Sequence, residues 1–214
     1  MGGIYYGYHK LPRSHAPASR ALIDIGGPSS GGIDKLSQGL TINSVTVQPT
    51  FWYEGKNADA TTWAATVGSN IAAQGSGGTF DDDVPFPSET DKAINSDGTR
   101  YYKTADADIA DIDDEDIVFE AIYCQPVAAS LRSAEKLSSV GWLVSHPADI
   151  FRFTLYGASS TVSTSSAATL TAGHWHHVMY FGDRSGSAQI YANGEATGSA
   201  ANISGTGSTA SATG

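Results

Sequence analysis

From Thr169 to Glu195 the chain reads Thr-Leu-Thr-Ala-Gly-His-Trp-His-His-Val-Met-Tyr-Phe-Gly-Asp-Arg-Ser-Gly-Ser-Ala-Gln-Ile-Tyr-Ala-Asn-Gly-Glu. Two runs rich in strand-forming residues, Trp175–Phe181 and Ala188–Ala192, flank the turn-forming Gly182-Asp183-Arg184-Ser185-Gly186. Asn193-Gly194, a strong turn dipeptide, closes the second run. The pattern predicts a β-hairpin, and the rest of the chain is organised around it.

Other stretches agree with a β-rich molecule. In Ile117–Tyr123, residues Ile117, Phe119, Ala121 and Tyr123 share one face of a strand and Val118, Glu120 and Ile122 share the other. Two mostly apolar faces predict a central strand. Val140–Val144 and Ile150–Tyr156 read as a second hairpin turned by His146-Pro147-Ala148-Asp149, with Phe151, Phe153 and Leu155 on one face. Phe51-Trp52-Tyr53 reads as a strand opening a domain, and Asp59–Thr62 as a polar bend before Trp63. Val127–Lys136 alone has a helix-forming composition and predicts a short helix or turn. Met1–Ser44, broken by Gly2-Gly3, Pro12, Pro17, Gly26-Gly27-Pro28 and Gly31-Gly32, reads as an extended arm with short strands within Ala21–Ile25 and Leu40–Val47. The tail from Ala196, almost entirely Ala, Thr, Gly and Ser, has too little apolar surface to offset its ordering entropy and is expected to be flexible.

Charge narrows the partners. Of the 22 acidic residues, 14 lie between Asp81 and Glu120 against three basic ones, so the overall −10 is concentrated in one segment. Such a field disfavours nucleic acid and anionic membrane and favours cations or basic partners. Cys124, the single cysteine, sits in an apolar run and reads as a buried thiol. No apolar stretch reaches the roughly 18 residues of a membrane span. Nothing at the amino end resembles a signal peptide, which leaves a virion, extracellular or cytoplasmic location open, and the chain itself as either whole or a fragment.

The wording of the hairpin, a Gly before Trp-His-His-Val and a Tyr-x-Asn-Gly-Glu after the turn, resembles the laminin G-like members of the concanavalin A-like superfamily, of the kind found in phage virion and tail-fibre proteins. The resemblance implies an all-β fold: an antiparallel concanavalin A-like jelly-roll sandwich over residues 45–201, preceded by an extended arm over 1–44 and followed by a flexible tail over 202–214. It further implies recognition without catalysis, of neighbouring protein subunits in a homo- or hetero-oligomer or of cell-surface glycan. Relatives of this sandwich often continue beyond such a hairpin, so closure by the arm, by a neighbouring chain, or by residues of a longer polypeptide all remain open, the last two being favoured.

Several constellations are candidates for chemistry. Asp106, Asp108, Asp111 and Asp113 offer hard oxygen ligands for calcium, against the plainer reading of a solvated acidic loop; the spacing does not fit an EF-hand. Asp111-Ile112-Asp113-Asp114-Glu115 approaches the paired-carboxylate pattern of glucanases but lies in a polar turn ahead of its strand. His174, His176 and His177 cannot converge on a metal from one strand, because the first two share a face and the third points away. Gly27-Pro28-Ser29-Ser30-Gly31 spells a nucleophile elbow without the helix that must follow it. Trp63, in a polar neighbourhood, is the best candidate for an exposed ring stacking on sugar, with Tyr101 and Tyr102 as further candidates. The expectation is therefore a structural or recognition module with no catalytic residue, a calcium-dependent lectin as the alternative and a glycoside hydrolase as a further one.

Overall fold

The computed structural model describes residues 4–11, 40–42, 45–47, 51–68, 70–74, 79–81, 93–95, 101–103, 112–124, 131–137, 139–167 and 170–210. These form β1 (Ile4–Leu11), β2 (Leu40–Ile42), β3 (Val45–Val47), β4 (Phe51–Ala58), β5 (Thr62–Val67), β6 (Ile71–Gln74), β7 (Thr79–Asp81), β8 (Ala93–Asn95) and β9 (Tyr101–Lys103). The remainder are β10 (Asp116–Cys124), β11 (Leu131–Leu137), β12 (Gly141–His146), β13 (Arg152–Tyr156), β14 (Thr161–Ser165), β15 (Trp175–Gly182), β16 (Ser187–Ala192) and β17 (Glu195–Asn202). No helix occurs among the described residues. One sheet runs β17-β16-β15-β10-β1-β4-β5-β6-β9, a second runs β11-β12-β13-β14, and β2-β3 and β7-β8 form separate ribbons. Every pairing is antiparallel.

The larger sheet and the four-stranded sheet enclose the core between them. All nine residues of β10 are buried, as a strand apolar on both faces requires. Ile117, Phe119, Ala121 and Tyr123 point into the core, together with Val178, Tyr180, Ala188 and Ile190 from the neighbouring strands. The opposite sheet answers with Trp142, Val144, Phe153 and Leu155. Phe119 lies 5.6 Å from Phe153 and 6.0 Å from Trp142 between ring centroids, and Phe153 stacks on Tyr180 at 4.1 Å. Burying each such ring contributes about 2 kcal/mol through removal from water, and ring–ring geometry adds about 1 kcal/mol per pair.

Both expected hairpins form. β12 and β13 are joined through Pro147-Ala148-Asp149, where Ala148 adopts a left-handed φ of 59°. β15 and β16 pair from Val178↔Ala192 to Gly182↔Ala188. Cys124 is buried, as its surroundings imply, and is not in a disulfide.

Three expectations are corrected. The amino-terminal stretch is not wholly an arm: β1 is inserted between β10 and β4, in register from Ile4↔Tyr123 to Leu11↔Asp116. Val127–Lys136 is not helical where described; Leu131–Leu137 is strand β11, because pairing with β12 outweighs the modest helix propensity of Leu-Arg-Ser-Ala-Glu-Lys-Leu. The tail is ordered through Ala210, with Ile203, Thr206 and Thr209 buried. Composition undercounts this segment, since its order comes from polar bonds and close backbone approach. The Arg184 guanidinium donates to Thr206 Oγ1, to the Gly207 carbonyl and, at 3.0 Å, to the Asp113 carbonyl, while the Arg184 amide donates to Asp116 Oδ1 at 2.8 Å. Gly157 and Gly198 let backbones meet where a Cβ would stand 1.9 Å from the Thr206 carbonyl oxygen and 2.1 Å from that of Ser165, respectively.

Arg184 therefore pins the turn between β15 and β16, the bend before β10 and the carboxyl-terminal segment to one point. Arg184→Met keeps the apolar stem and leaves buried acceptors unserved. It is expected to lower unfolding stability in urea by about 3 kcal/mol and to speed amide exchange at Ile203 and Thr206. A loss under about 0.5 kcal/mol would show that the segment is held by other means.

Candidate functional site

The Trp-His-His-Val strand alternates as its sequence implies, with consequences for both histidines. On the face away from the core, His177 Nε2 donates to Glu120 Oε1 at 2.5 Å. Glu120 is fully buried in mid-strand, and its Oε2 has no hydrogen-bond partner among the described residues. On the inner face, His176 Nε2 donates to the Thr171 carbonyl at 3.1 Å, so Nδ1 is the acceptor for Asn193 Nδ2 at 3.3 Å. Asn193, at a left-handed φ of 51°, also accepts the His177 amide on Oδ1 at 3.0 Å and donates its own amide to the His177 carbonyl at 2.7 Å. The Asn-Gly turn that ends β16 is thereby buckled to the strand it follows.

These bonds rigidify one wall of an open depression of about 220 Å³, lined by Ala167, Leu170, His176, Asn193, Glu195 and Thr197 with Ala192 and Ala196 between them. Register explains the convergence. Val178 pairs with Ala192, Ala192 with Glu195 and Ile190 with Thr197, so all of these share the inner face of the large sheet with His176. The segment after β14 closes the other side, with the Ala167 amide donating to Thr197 Oγ1 at 3.2 Å. The lining is mainly polar, and Glu195 and Asn193 are exposed in it.

Behind His176 lie Tyr123, 6.3 Å away between ring centroids, and His146, 4.3 Å from Tyr123. His146 is buried against Phe151 and Tyr123, and desolvation pulls its imidazole down to about 4. Burial, aided by the neighbouring Cys124 thiol, pushes the Tyr123 phenol up. Tyr123 Oη and His146 Nδ1 have no hydrogen-bond partners among the described residues.

The residues singled out in the sequence do not assemble into one site. Trp63 is a correction: it is 4% exposed, packed 5.4 Å from the Tyr53 ring, and presents no face to a sugar. Its polar neighbours Asp59 and Thr61 are exposed and build a turn, while the ring itself packs inward. Asp59 Oδ1 accepts the Thr61 amide, the Thr61 hydroxyl and the Thr62 amide, and these bonds hold the Asp59 carboxyl below its ordinary range. Tyr101 and Tyr102 lie on β9 at an end of the large sheet, with side chains outside the described residues, as are Asp106, Asp108 and Asp111 and the Gly27–Gly31 stretch. Asp113, Asp114 and Glu115 sit in a bend before β10, where the Asp113 amide donates to Glu115 Oε2. They do not share a strand face, so the glucanase spacing is not formed there. No group of three or more His, Cys, Asp or Glu fit to hold a metal occurs among the described residues. Glu120, Asn193, Glu195 and Thr197 went unremarked as site residues; a glutamate interrupting an apolar strand was the one visible signal.

Residues 126–213 match the family model of the concanavalin A-like lectin/glucanases superfamily, less than half of the chain. The match covers the carboxyl-terminal part of the chain, and the all-β antiparallel sheets are consistent with a concanavalin A-like sandwich. Among solved structures, the botulinum neurotoxin serotype G binding domain is similar with a TM-score of 0.44 and 15% identity, over 68% of this chain and 38% of that one. A structure of botulinum neurotoxin type C, whose cell entry is dependent upon interaction with two ganglioside molecules, gives 0.42 and 12% over 75% of this chain and 41% of that one. The chain thus spans about two fifths of the length of these two structures. No curated protein matches it in sequence.

The buried imidazole makes this end of the concanavalin A-like sandwich acid-sensitive. Unfolded histidine titrates near 6.5 and His146 at about 4, so on acidification the unfolded chain takes the proton first. The contribution of His146 is expected to be present above about pH 6.5 and to be lost as pH falls towards 4, on the order of 2–3 kcal/mol. Urea midpoints of the wild type and His146→Phe at pH 7.5 and 4.5 should diverge in favour of the variant on acidification. Parallel declines would assign the sensitivity elsewhere.

Proposed function

We propose that this protein is a non-catalytic recognition module that takes a terminal sugar of a cell-surface glycan in the depression beside the Asn193-Gly194 turn. The observation that carries this reading is a preformed polar rim: His176 and Asn193 are fixed by their mutual bond and by backbone groups, so they meet a ligand with little further loss of side-chain freedom. At about 220 Å³ the space is below the roughly 300–1,000 Å³ of drug-sized ligand sites and suits a single ring. Catalysis is disfavoured by Glu195 being the sole carboxylate lining it, since glycoside hydrolysis takes two opposed carboxyl groups. Calcium at Asp106, Asp108, Asp111 and Asp113 is a separate proposal, and chelator tests it.

The test is a glycan array followed by titration calorimetry on the best hit. The wild type should bind without releasing reducing ends, and Glu195→Ala, an exposed change that spares the fold, should weaken binding about tenfold. Release of reducing sugar would overturn the non-catalytic reading, and silence across the array would overturn the saccharide.

A second reading is favoured by β17, which ends the order of the large sheet and is largely exposed along small residues. Strand edges template pairing with another chain. A structural role in a virion or other extracellular assembly would use this edge for subunit contacts. Concentration-dependent association in light scattering, lost on introducing Ala200→Pro, is the expected result of that role.

A further inference from the structure

Resting on the saccharide reading above, we infer that the depression selects uncharged glycans and rejects those ending in sialic acid, uronate or sulfate. The inference comes from the charges that the fold does and does not bring to it. Glu195 is exposed and, among the described residues, is the only acidic, lysine or arginine side chain lining the space. His176, the other titratable group there, has both ring nitrogens engaged, one by the Thr171 carbonyl and one by Asn193. The strands that build the site contain no spare cation: from Gly157 onward Arg184 is the only lysine or arginine in the sequence, and it is buried with its guanidinium bound to Thr206, Asp113 and Gly207. Arg152, on β13, is tied through Nε to Ser165 Oγ.

An anionic sugar entering here would meet a carboxylate with no counter-charge, inside a chain of net charge −10. Recognition of carboxylate and sulfate ordinarily relies on arginine or lysine, or on free amides at a helix terminus, and the lining holds none of these. A neutral sugar is suited in every respect that an acidic one is not. Its hydroxyls would donate to the Glu195 carboxylate as charge-assisted bonds, and its ring hydrogens would pack on Ala192 and Leu170.

The experiment is an array of matched pairs, each neutral glycan beside its sialylated or sulfated form, read with wild type, Glu195→Gln and Glu195→Ala, with calorimetry on the strongest pair at low and high salt. The expected result is at least a tenfold preference for the neutral member at low salt, reduced to threefold or less in Glu195→Gln, which keeps the hydrogen-bonding shape and removes the charge. Equal or stronger binding of the acidic member by the wild type would overturn the inference while leaving saccharide recognition standing. A neutral preference unchanged in Glu195→Gln would overturn the assignment to this carboxylate. Binding of neither member would overturn the saccharide reading and this inference with it.

Discussion

The interdigitation of aromatic rings across the two sheets is the constraint on which the rest of this molecule depends. Phe119 on the large sheet meets Trp142, Phe151 and Phe153, and Phe153 stacks in turn on Tyr180, the cross-strand partner of Phe119 on β15. These contacts are long-range in sequence, so none of the hairpins that carry them has a reason to hold its shape alone. They also fix register: shifting β10 by one residue would send Phe119 outward and bring Glu120 into the space between Phe153 and Trp142, exchanging ring contacts for a carboxylate in an apolar core.

What the sequence made legible follows the same logic. β10, the β12–β13 turn and the β15–β16 ribbon announce themselves because each is a run whose periodicity and turn residues are sufficient to specify it. β1 and β11 do not. Tyr-Tyr-Gly-Tyr-His-Lys and Leu-Arg-Ser-Ala-Glu-Lys-Leu have no preference strong enough to name their conformation, and become strands because β10 and β12 offer unpaired edges to them. The carboxyl-terminal segment was illegible for another reason. Its order rests on Arg184 reaching Thr206 and Gly207, and on glycines that permit approach where a side chain would collide, and neither leaves a trace in local composition. Trp63 shows the converse error: the exposed turn closed by Asp59 signals a surface, but the ring that follows it packs inward on Tyr53.

The polar groups kept inside divide into two kinds. Those around Asn193 are satisfied and serve as fasteners, binding a turn with a left-handed residue to the strand beneath it. Glu120 Oε2, Tyr123 Oη and His146 Nδ1 are buried without partners among the described residues and cost stability where they lie. Two of these three groups lie on β10 and the third at the end of β12. A strand buried along its whole length thus carries polar atoms without partners among the described residues, tolerable because burial of the surrounding rings stabilises the fold by more than such groups cost.

The candidate site is a consequence of this packing and does not stand apart from it. Along β15 the inner face passes from Tyr180 through Val178 to His176, and along β16 from Ile190 to Ala192, with exposure rising towards the Asn-Gly turn. Because alternate residues of a strand share a face, the parity that buries Tyr180 and Ile190 necessarily aims His176, Glu195 and Thr197 into the same interlayer space, at the end where the smaller sheet no longer covers the larger. One periodic rule thus produces both a dry centre and a polar rim. A change that slipped β16 against β15 would destroy the two together, whereas an exchange confined to Glu195 alters the rim and leaves the centre as it was.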